Sequence, residues 1–165
     1  MQALVTALAL RRHPEGGHFA EVFRSPARVR QDGRERSAVT TIYYLLRAGE
    51  ISRWHVVGSD EVWHFYEGGG LDLFVCDPRG GDVRTIRLGP TAPGVAAVHV
   101  VPAGWWQAAR PRGGYALAGC TVAPGFEFED FRFVADLPGR TRPSPGRCGP
   151  SRTCASMRPA WTSPR

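Results

Sequence analysis

Residues 49–68 read GEISRWHVVGSDEVWHFYEG and contain two runs rich in β-branched and aromatic residues, separated by a short Gly-Ser turn. Runs of this kind favour β-strands, in which alternate side chains point to the same face of the sheet. The spacing therefore predicts two consecutive strands, at 52–57 and 62–66, and leaves open whether they form one hairpin.

These two strands bring a histidine and a carboxylate toward one interior. Arg53 and His55 share a face of the first strand, and Glu61, Trp63 and Phe65 share a face of the second. If the hairpin forms, His55 and Glu61 converge beside the two aromatic rings, where apolar walls raise the pKa of a carboxyl group. This arrangement suits proton transfer, although a purely structural histidine–carboxylate pair explains the same spacing equally well.

The same composition recurs from about residue 18 to residue 134. Besides the two strands above, we predict strands at 18–23, 38–46, 71–76, 83–88, 95–101, 115–122 and 128–133. Clusters of glycine, proline and aspartate separate them, with almost no room for crossover helices. Many short strands at regular spacing predict an all-β antiparallel sandwich or barrel. One short amphipathic helix is predicted at residues 2–12, and the sequence HPEGG at 13–17 ends it.

The composition is typical of a globular protein of one domain. Of the 165 residues, 42% are hydrophobic and 22% are charged, and no apolar run is long enough to cross a bilayer. The N-terminus lacks the basic segment of a secretory signal, so we expect a cytoplasmic protein with no membrane partner. The four cysteines include no Cys-x-x-Cys pair, which favours reduced thiols over a zinc site or a disulfide framework.

Residues 135–165 differ from the rest of the chain in charge and composition. They hold six arginines and one acidic residue, Asp136, so the remainder carries 15 basic and 14 acidic residues and lacks the basic patch of a nucleic-acid-binding protein. Rich in proline and poor in apolar runs, this segment is predicted to be a disordered tail after a barrel domain at 1–134. An arm that binds nucleic acid or membrane is the alternative, and the segment also resembles out-of-frame translation of GC-rich DNA.

Several short motifs resemble those of the cupins. Residues 49–68 follow the first cupin motif, Gly-x5-His-x-His-x3,4-Glu-x6-Gly, except that Val57 stands at the second histidine. The sequence PAGWWQ at 102–107 follows the core of the second motif, with Gln107 in place of histidine. More narrowly, the segments at 13–17, 41–46, 59–64, 101–106 and 119–131 resemble the Cupin_5 family, also called DUF985. The resemblance covers about residues 4–134 and implies a double-stranded β-helix, the cupin jelly-roll barrel, and a homodimer.

The resemblance also bears on metal binding. The four ligand positions of metal-dependent cupins correspond here to His55, Val57, Glu61 and Gln107. Valine cannot ligate a metal, and a neutral amide oxygen is a poor ligand for a transition metal. No cofactor is therefore expected, and His55, Glu61 and Gln107 are at most ligands of a weakly held divalent ion.

The resemblance implies a barrel whose interior binds a small polar molecule, a sugar derivative or a carboxylic acid. Metal-independent chemistry on that molecule is one expectation, because the dTDP-sugar 3,5-epimerases share this barrel. We assign His55 as the base, Glu61 as its partner and Tyr44 or Tyr43 as an acid in an epimerase, isomerase or lyase reaction. The residues expected to contact the ligand are Arg53, for an anionic group, and Trp63, Phe65, Gln107, Glu15 and Phe19. One alternative is a non-catalytic protein that binds or senses a small molecule. The second is a metal-dependent oxygenase or isomerase with an incomplete ligand set.

Overall fold

A computed structural model describes residues 2–79 and 82–136, so the predictions made for residues 137–165 lie outside the described residues. The chain begins with helix α1 (Gln2–Ala7), and two short 3-10 helices, η1 (Phe128–Asp130) and η2 (Val134–Asp136), lie near the end. The strands are β1 (Arg11–Arg12), β2 (His18–Arg24), β3 (Arg28–Gln31), β4 (Arg34–Ser37), β5 (Thr40–Arg47), β6 (Ser52–Val56), β7 (Asp60–Gly68), β8 (Leu71–Cys76), β9 (Arg84–Leu88), β10 (Val98–Val101), β11 (Trp106–Pro111), β12 (Tyr115–Ala123) and β13 (Arg132–Phe133).

The strands form two facing antiparallel sheets. One has the order β1-β2-β5-β12-β7-β10 and the other the order β13-β6-β11-β8-β9, while β3 and β4 form a separate hairpin. The main core combines side chains from both sheets, among them Trp63 from the first and Leu73 and Val75 from the second. The predicted all-β jelly roll is thus confirmed, with the two sheets remaining separate rather than joined into one closed ladder.

Strands β6 and β7 lie in different sheets, so they do not form a hairpin. β6 pairs with β11 and β13, whereas β7 pairs with β12 and β10. The chain crosses from one sheet to the other between Val56 and Asp60. His55 and Glu61 nevertheless both face the interior, because they approach it from opposite walls.

The N-terminal helix ends earlier than the predicted residue 12. Ala9 has a φ of 49°, the amide of Leu10 donates to the carbonyl oxygen of Val5 at 2.9 Å, and that of Ala9 donates to Thr6 at 3.2 Å. This pair of bonds is a Schellman motif, which closes a helix through one left-handed residue. The helix packs through Leu4, Val5 and Leu8 against the outer face of the six-stranded sheet.

Other segments also differ from the predicted strands. Residues 128–133, predicted as a strand, form η1 followed by the two-residue strand β13. Here the side chain of Asp130 lies 2.5 Å from the Arg36 guanidinium, and long-range packing outweighs the strand propensity of the phenylalanines. The hairpin β3–β4 and strand β11 were not predicted. The alanines of β11 have low strand propensity, yet Ala108 and Ala109 are buried between two neighbouring strands.

Among the described residues, no helix combines the length and the apolar character needed to traverse a bilayer.

Candidate functional site

A cavity of about 300 Å³ opens between the two sheets at one end of the jelly roll. Its walls are largely aromatic and aliphatic, and three phenylalanines of the segment after β12, Phe126, Phe128 and Phe131, cover one side. This volume is at the low end of the roughly 300–1,000 Å³ of small-molecule sites. The titratable side chains on its walls are Arg11, His13, Glu15, Glu21, Arg24, His55, Glu61 and Cys120.

The closest histidine–carboxylate contact in this cavity joins His55 to Glu15. His55 Nε2 lies 3.4 Å from Glu15 Oε2, and both side chains are more than nine-tenths buried. The other ring nitrogen, Nδ1, donates to the carbonyl oxygen of Arg53 at 2.7 Å, which leaves Nε2 as the lone-pair nitrogen of the neutral ring. Nε2, the ring atom that can accept or release a proton, thus faces the carboxyl group of Glu15.

The turn at residues 13–17 holds Glu15 in this position. Its carboxylate accepts a hydrogen bond from Ser52 Oγ at 3.0 Å, and its backbone carbonyl accepts one from the amide of Arg53 at 2.9 Å. The Tyr44 hydroxyl donates to the carbonyl oxygen of Gly16 at 2.9 Å. Gly17 has a φ of +68°, and a Cβ there would lie 2.6 Å from the carbonyl oxygen of Leu45. Glycine is therefore needed for the turn to lie this close to β5.

His13 completes this side of the cavity. Its Nδ1 accepts a hydrogen bond from the backbone amide of Glu15 at 3.3 Å and lies 3.7 Å from Glu15 Oε2. The ring packs edge-on against Phe19 and Tyr44. Burial lowers the pKa of His13, and the Glu15 carboxylate opposes this shift only in part. His13 is therefore a neutral acceptor that orients the backbone of Glu15.

Glu61 lies on the opposite wall and belongs to a different hydrogen-bond chain. The Trp63 indole donates to Gln107 Oε1 at 2.9 Å, and Gln107 Nε2 donates to Glu61 Oε2 at 2.5 Å. Because an indole N–H can only donate, the amide of Gln107 has one allowed orientation, with its NH₂ group toward Glu61. Burial raises the pKa of Glu61, an effect that His55 partly offsets. The environment thus favours a protonated carboxyl group.

Of the nine predicted site residues, four line the cavity, four do not, and Arg53 is exposed. His55, Glu61, Glu15 and Phe19 line the cavity. Tyr44, Trp63, Gln107 and Phe65 do not: the first three are almost fully buried behind the wall and act through hydrogen bonds, and Phe65 packs on the core. The Tyr44 hydroxyl donates to the turn at 13–17. Burial raises the pKa of Tyr44 well above its usual value.

Arg53 lies outside the cavity, contrary to the predicted inward orientation. Gln107 pairs with His55 but Ala109 pairs with Ser52, so β6 contains one extra residue opposite β11. Such a β-bulge interrupts the alternation of faces, and Ser52 rather than Arg53 is buried with His55. The exposed Arg53 guanidinium donates to the Pro14 carbonyl at 2.7 Å and stacks 4.0 Å from the ring centroid of Phe133.

Several cavity residues were not among the predicted site residues. His13 belongs to the HPEGG turn, whose two glycines beside two titratable residues could have marked a built loop rather than a simple helix end. Phe131 stacks on His55 with a ring-centroid distance of 5.1 Å. Cys120, buried next to Glu61, has a pKa well above its usual value because of burial. No local sequence signal identifies Cys120 or Arg11 as cavity residues.

The donor set does not fit the metal site of metal-dependent cupins. Val57 lines the cavity, but its side chain has no lone pair to donate to a metal. Gln107 Oε1 already accepts a hydrogen bond from the Trp63 indole. Among residues 2–79 and 82–136, no group of three or more histidine, cysteine, aspartate or glutamate side chains has an arrangement that could hold a metal ion.

Two facing antiparallel sheets in jelly-roll order, with a histidine and a glutamate opposed across an interior cavity, define a cupin. More specifically, the chain belongs to the Cupin_5 family, described as cupin superfamily (DUF985), which matches residues 2–134. No curated protein matches the chain significantly.

Solved structures agree with this assignment. A hypothetical protein from Leishmania major is 32% identical with a TM-score of 0.74, covering 79% of this chain and 85% of that one. A protein from Shewanella oneidensis is 33% identical with a TM-score of 0.73, covering 80% and 82%. Oxalate decarboxylase from Bacillus subtilis is 17% identical with a TM-score of 0.57, covering 76% of this chain and 30% of that enzyme. The last similarity concerns the fold alone.

Proposed function

We propose that this cupin catalyses a proton transfer on a small molecule bound in its cavity, with the His55–Glu15 pair as the base and protonated Glu61 as the acid. The observation that supports it is the 3.4 Å contact of His55 Nε2 with Glu15 Oε2 on one wall, opposite a buried carboxyl group on the other. Two titratable groups in contrasting environments on either side of a cavity are a recurrent arrangement in acid–base catalysis.

The base is the pair rather than His55 alone. Nε2 of His55 and the carboxyl group of Glu15 lie together on one wall, so a proton that one of them takes from a substrate carbon can pass to the other. Ser52 and the backbone of Arg53 hold the two partners by hydrogen bonds to Glu15 and His55. Phe131 stacks on the imidazole and restricts its rotation. These contacts keep the acceptor atoms directed at one place, which is a requirement for efficient proton transfer.

Glu61 supplies the complementary proton. Burial raises its pKa, so the carboxyl group holds its proton to a higher pH than an exposed glutamate does. Gln107 donates to Oε2, which directs the acidic proton to Oε1. Glu61 then protonates a carbonyl oxygen of the substrate as the opposite pair removes the adjacent C–H proton, giving an enol. Return of the proton to the same or a neighbouring carbon gives an epimerised or isomerised product, and loss of a β-substituent gives elimination.

Deuterium incorporation tests this proposal without knowledge of the natural substrate. Phenylpyruvate, 2-oxobutyrate and dihydroxyacetone are incubated with the full chain in D₂O, and loss of the α-proton signal is followed by NMR. The wild type should exchange at least one of these compounds faster than buffer. His55→Asn and Glu15→Gln should reduce the enzymatic rate by roughly 10²–10⁴-fold.

Matched controls lie on the outer face of the six-stranded sheet. His64→Asn and Glu67→Gln replace the same residue types on β7, away from the cavity, and should exchange at the wild-type rate. If the compounds bind but their α-protons exchange no faster than in buffer, the cavity is a binding site that does not catalyse proton transfer. Equal rates in the wild type and His55→Asn would exclude the His55–Glu15 pair as the base.

A further inference from the structure

The guanidinium group of Arg11 lies on the wall of the cavity. Arg11 pairs with Phe19 across β1 and β2, and its Cζ atom lies 4.7 Å from the centroid of the Phe19 ring. Both residues line the cavity. Stacking on an aromatic face leaves the N–H donors of a guanidinium group in its plane, available to a ligand.

The other cation on the wall is already neutralised. Arg24 lies 2.9 Å from a carboxylate oxygen of Glu21 and 3.1 Å from one of Glu127. Arg11 differs: among residues 2–79 and 82–136, no carboxylate lies within ion-pair distance of its guanidinium, and no hydrogen bond to it is found. Arg11 is thus the cavity cation without a counter-charge in the described part of the chain.

The acidic groups of the cavity do not supply that counter-charge. Glu15 is directed at His55 and Ser52, Glu21 at Arg24, and Glu61 at Gln107. Burial also raises the pKa of Glu61, which reduces its negative charge. Because Arg11 is exposed, an anionic group of a ligand can reach its guanidinium and pair with it.

We propose that the ligand of this cavity is a small organic carboxylate, bound through its carboxylate to Arg11 with a flat apolar body between Phe19 and Phe131. This inference rests on the proposed function, since it places the ligand in the same cavity. The planar guanidinium matches a carboxylate in two parallel hydrogen bonds. The volume of about 300 Å³ suits a molecule of this size better than a nucleotide-linked sugar. The aromatic walls favour a planar ligand.

Benzoate and benzamide are the test probes, because they have the same shape and differ in charge. Binding to the full chain is measured by NMR titration, with the ring resonances of His55 reporting occupancy of the cavity. The wild type should bind benzoate about tenfold more tightly than benzamide. Arg11→Gln should remove this difference by weakening benzoate alone, and Arg11→Lys should retain part of it. Arg30→Gln removes the same charge from an exposed site on β3 and should have no effect.

The remaining outcomes separate this inference from the proposed function. Equal binding of the two probes, or a benzoate affinity unchanged in Arg11→Gln, would overturn the carboxylate inference while leaving the cavity as a ligand site. If phenylphosphonate binds more tightly than benzoate and its binding depends on Arg11, the anionic group of the ligand is a phosphate rather than a carboxylate. Failure of both probes to shift the His55 resonances would also overturn the inference. The deuterium assay decides the proton-transfer chemistry independently.

Discussion

Replacing Gln107 by leucine tests the hydrogen-bond chain that supports Glu61. Gln107 lies on β11 in one sheet, and both of its partners lie on β7 in the other, so the amide joins the two walls of the core. The side chain is 1% exposed, and leucine has a similar volume. The substitution therefore removes two hydrogen bonds while leaving the packing nearly intact.

The expected cost follows from the groups left without partners. In Gln107→Leu, the Trp63 indole N–H and Glu61 Oε2 both remain buried and lose their hydrogen bonds. Each unsatisfied group costs about 1–3 kcal/mol, and the additional apolar contacts of leucine offset part of the sum. We expect the free energy of unfolding to fall by about 2–4 kcal/mol.

Urea denaturation followed by circular dichroism measures this loss. Gln2→Leu applies the same substitution to an exposed helical residue and should change stability by no more than about 0.5 kcal/mol. Trp63→Phe completes a double-mutant cycle, because it removes the donor to the same amide. The double variant should lose less free energy of unfolding than the sum of the losses in the two single variants. The difference, which is the coupling energy of the pair, should be about 0.5–3 kcal/mol.

Two results would refute this reasoning. A loss below about 0.5 kcal/mol in Gln107→Leu would mean that the amide contributes no net hydrogen bonding in the core. Strict additivity of the two substitutions would mean that Trp63 and Gln107 do not interact. Either result would also remove the structural basis for the orientation of the Glu61 carboxyl group.

Other predictions concern pH, metal binding and assembly. Because burial raises the pKa of Glu61, the stability contributed by its bound proton is present at low pH and lost as the pH rises through the native pKa. In urea denaturation, the free energy of unfolding of Glu61→Gln relative to wild type should therefore increase from pH 4.5 to pH 7.5. The exposed control Glu129→Gln should show no such increase. A difference between Glu61→Gln and wild type that does not change with pH would contradict the prediction. Calorimetric titration of chelator-stripped protein with nickel, iron(II) and zinc should show weak binding in the wild type and a gain of orders of magnitude in Val57→His with Gln107→His. Sub-micromolar wild-type binding that Glu61→Ala abolishes would instead favour a metal enzyme. On the outer face of the six-stranded sheet, Val100 is 48% exposed on the edge strand β10. We expect a homodimer through this sheet, so light scattering at tens of micromolar should report a dimer for wild type and a monomer for Val100→Arg, and a wild-type monomer would count against it.

The strands with strong local patterns were predictable, whereas those stabilised mainly by neighbours were not. Strands β5 and β7 are rich in β-branched and aromatic residues, and their positions agree with the prediction. Strand β11 has the sequence WQAARP, in which the alanines carry little strand propensity. It is a strand because it lies between β6 and β8 and hydrogen-bonds to both. Such long-range pairing has no counterpart in the local sequence.

The sequence by itself determined the jelly-roll class, the family and the inward orientation of His55 and Glu61, because these depend on motifs and on residues of one strand at a time. The tertiary structure decided which groups meet. Glu15 contacts His55 because Tyr44 and Ser52 hold a distant turn against β6. A bulge of one residue directs Arg53 outward. The physical reason is that alternation along a strand has a period of two, so one inserted residue exchanges the faces, and only the pairing with a neighbouring strand shows where that residue lies.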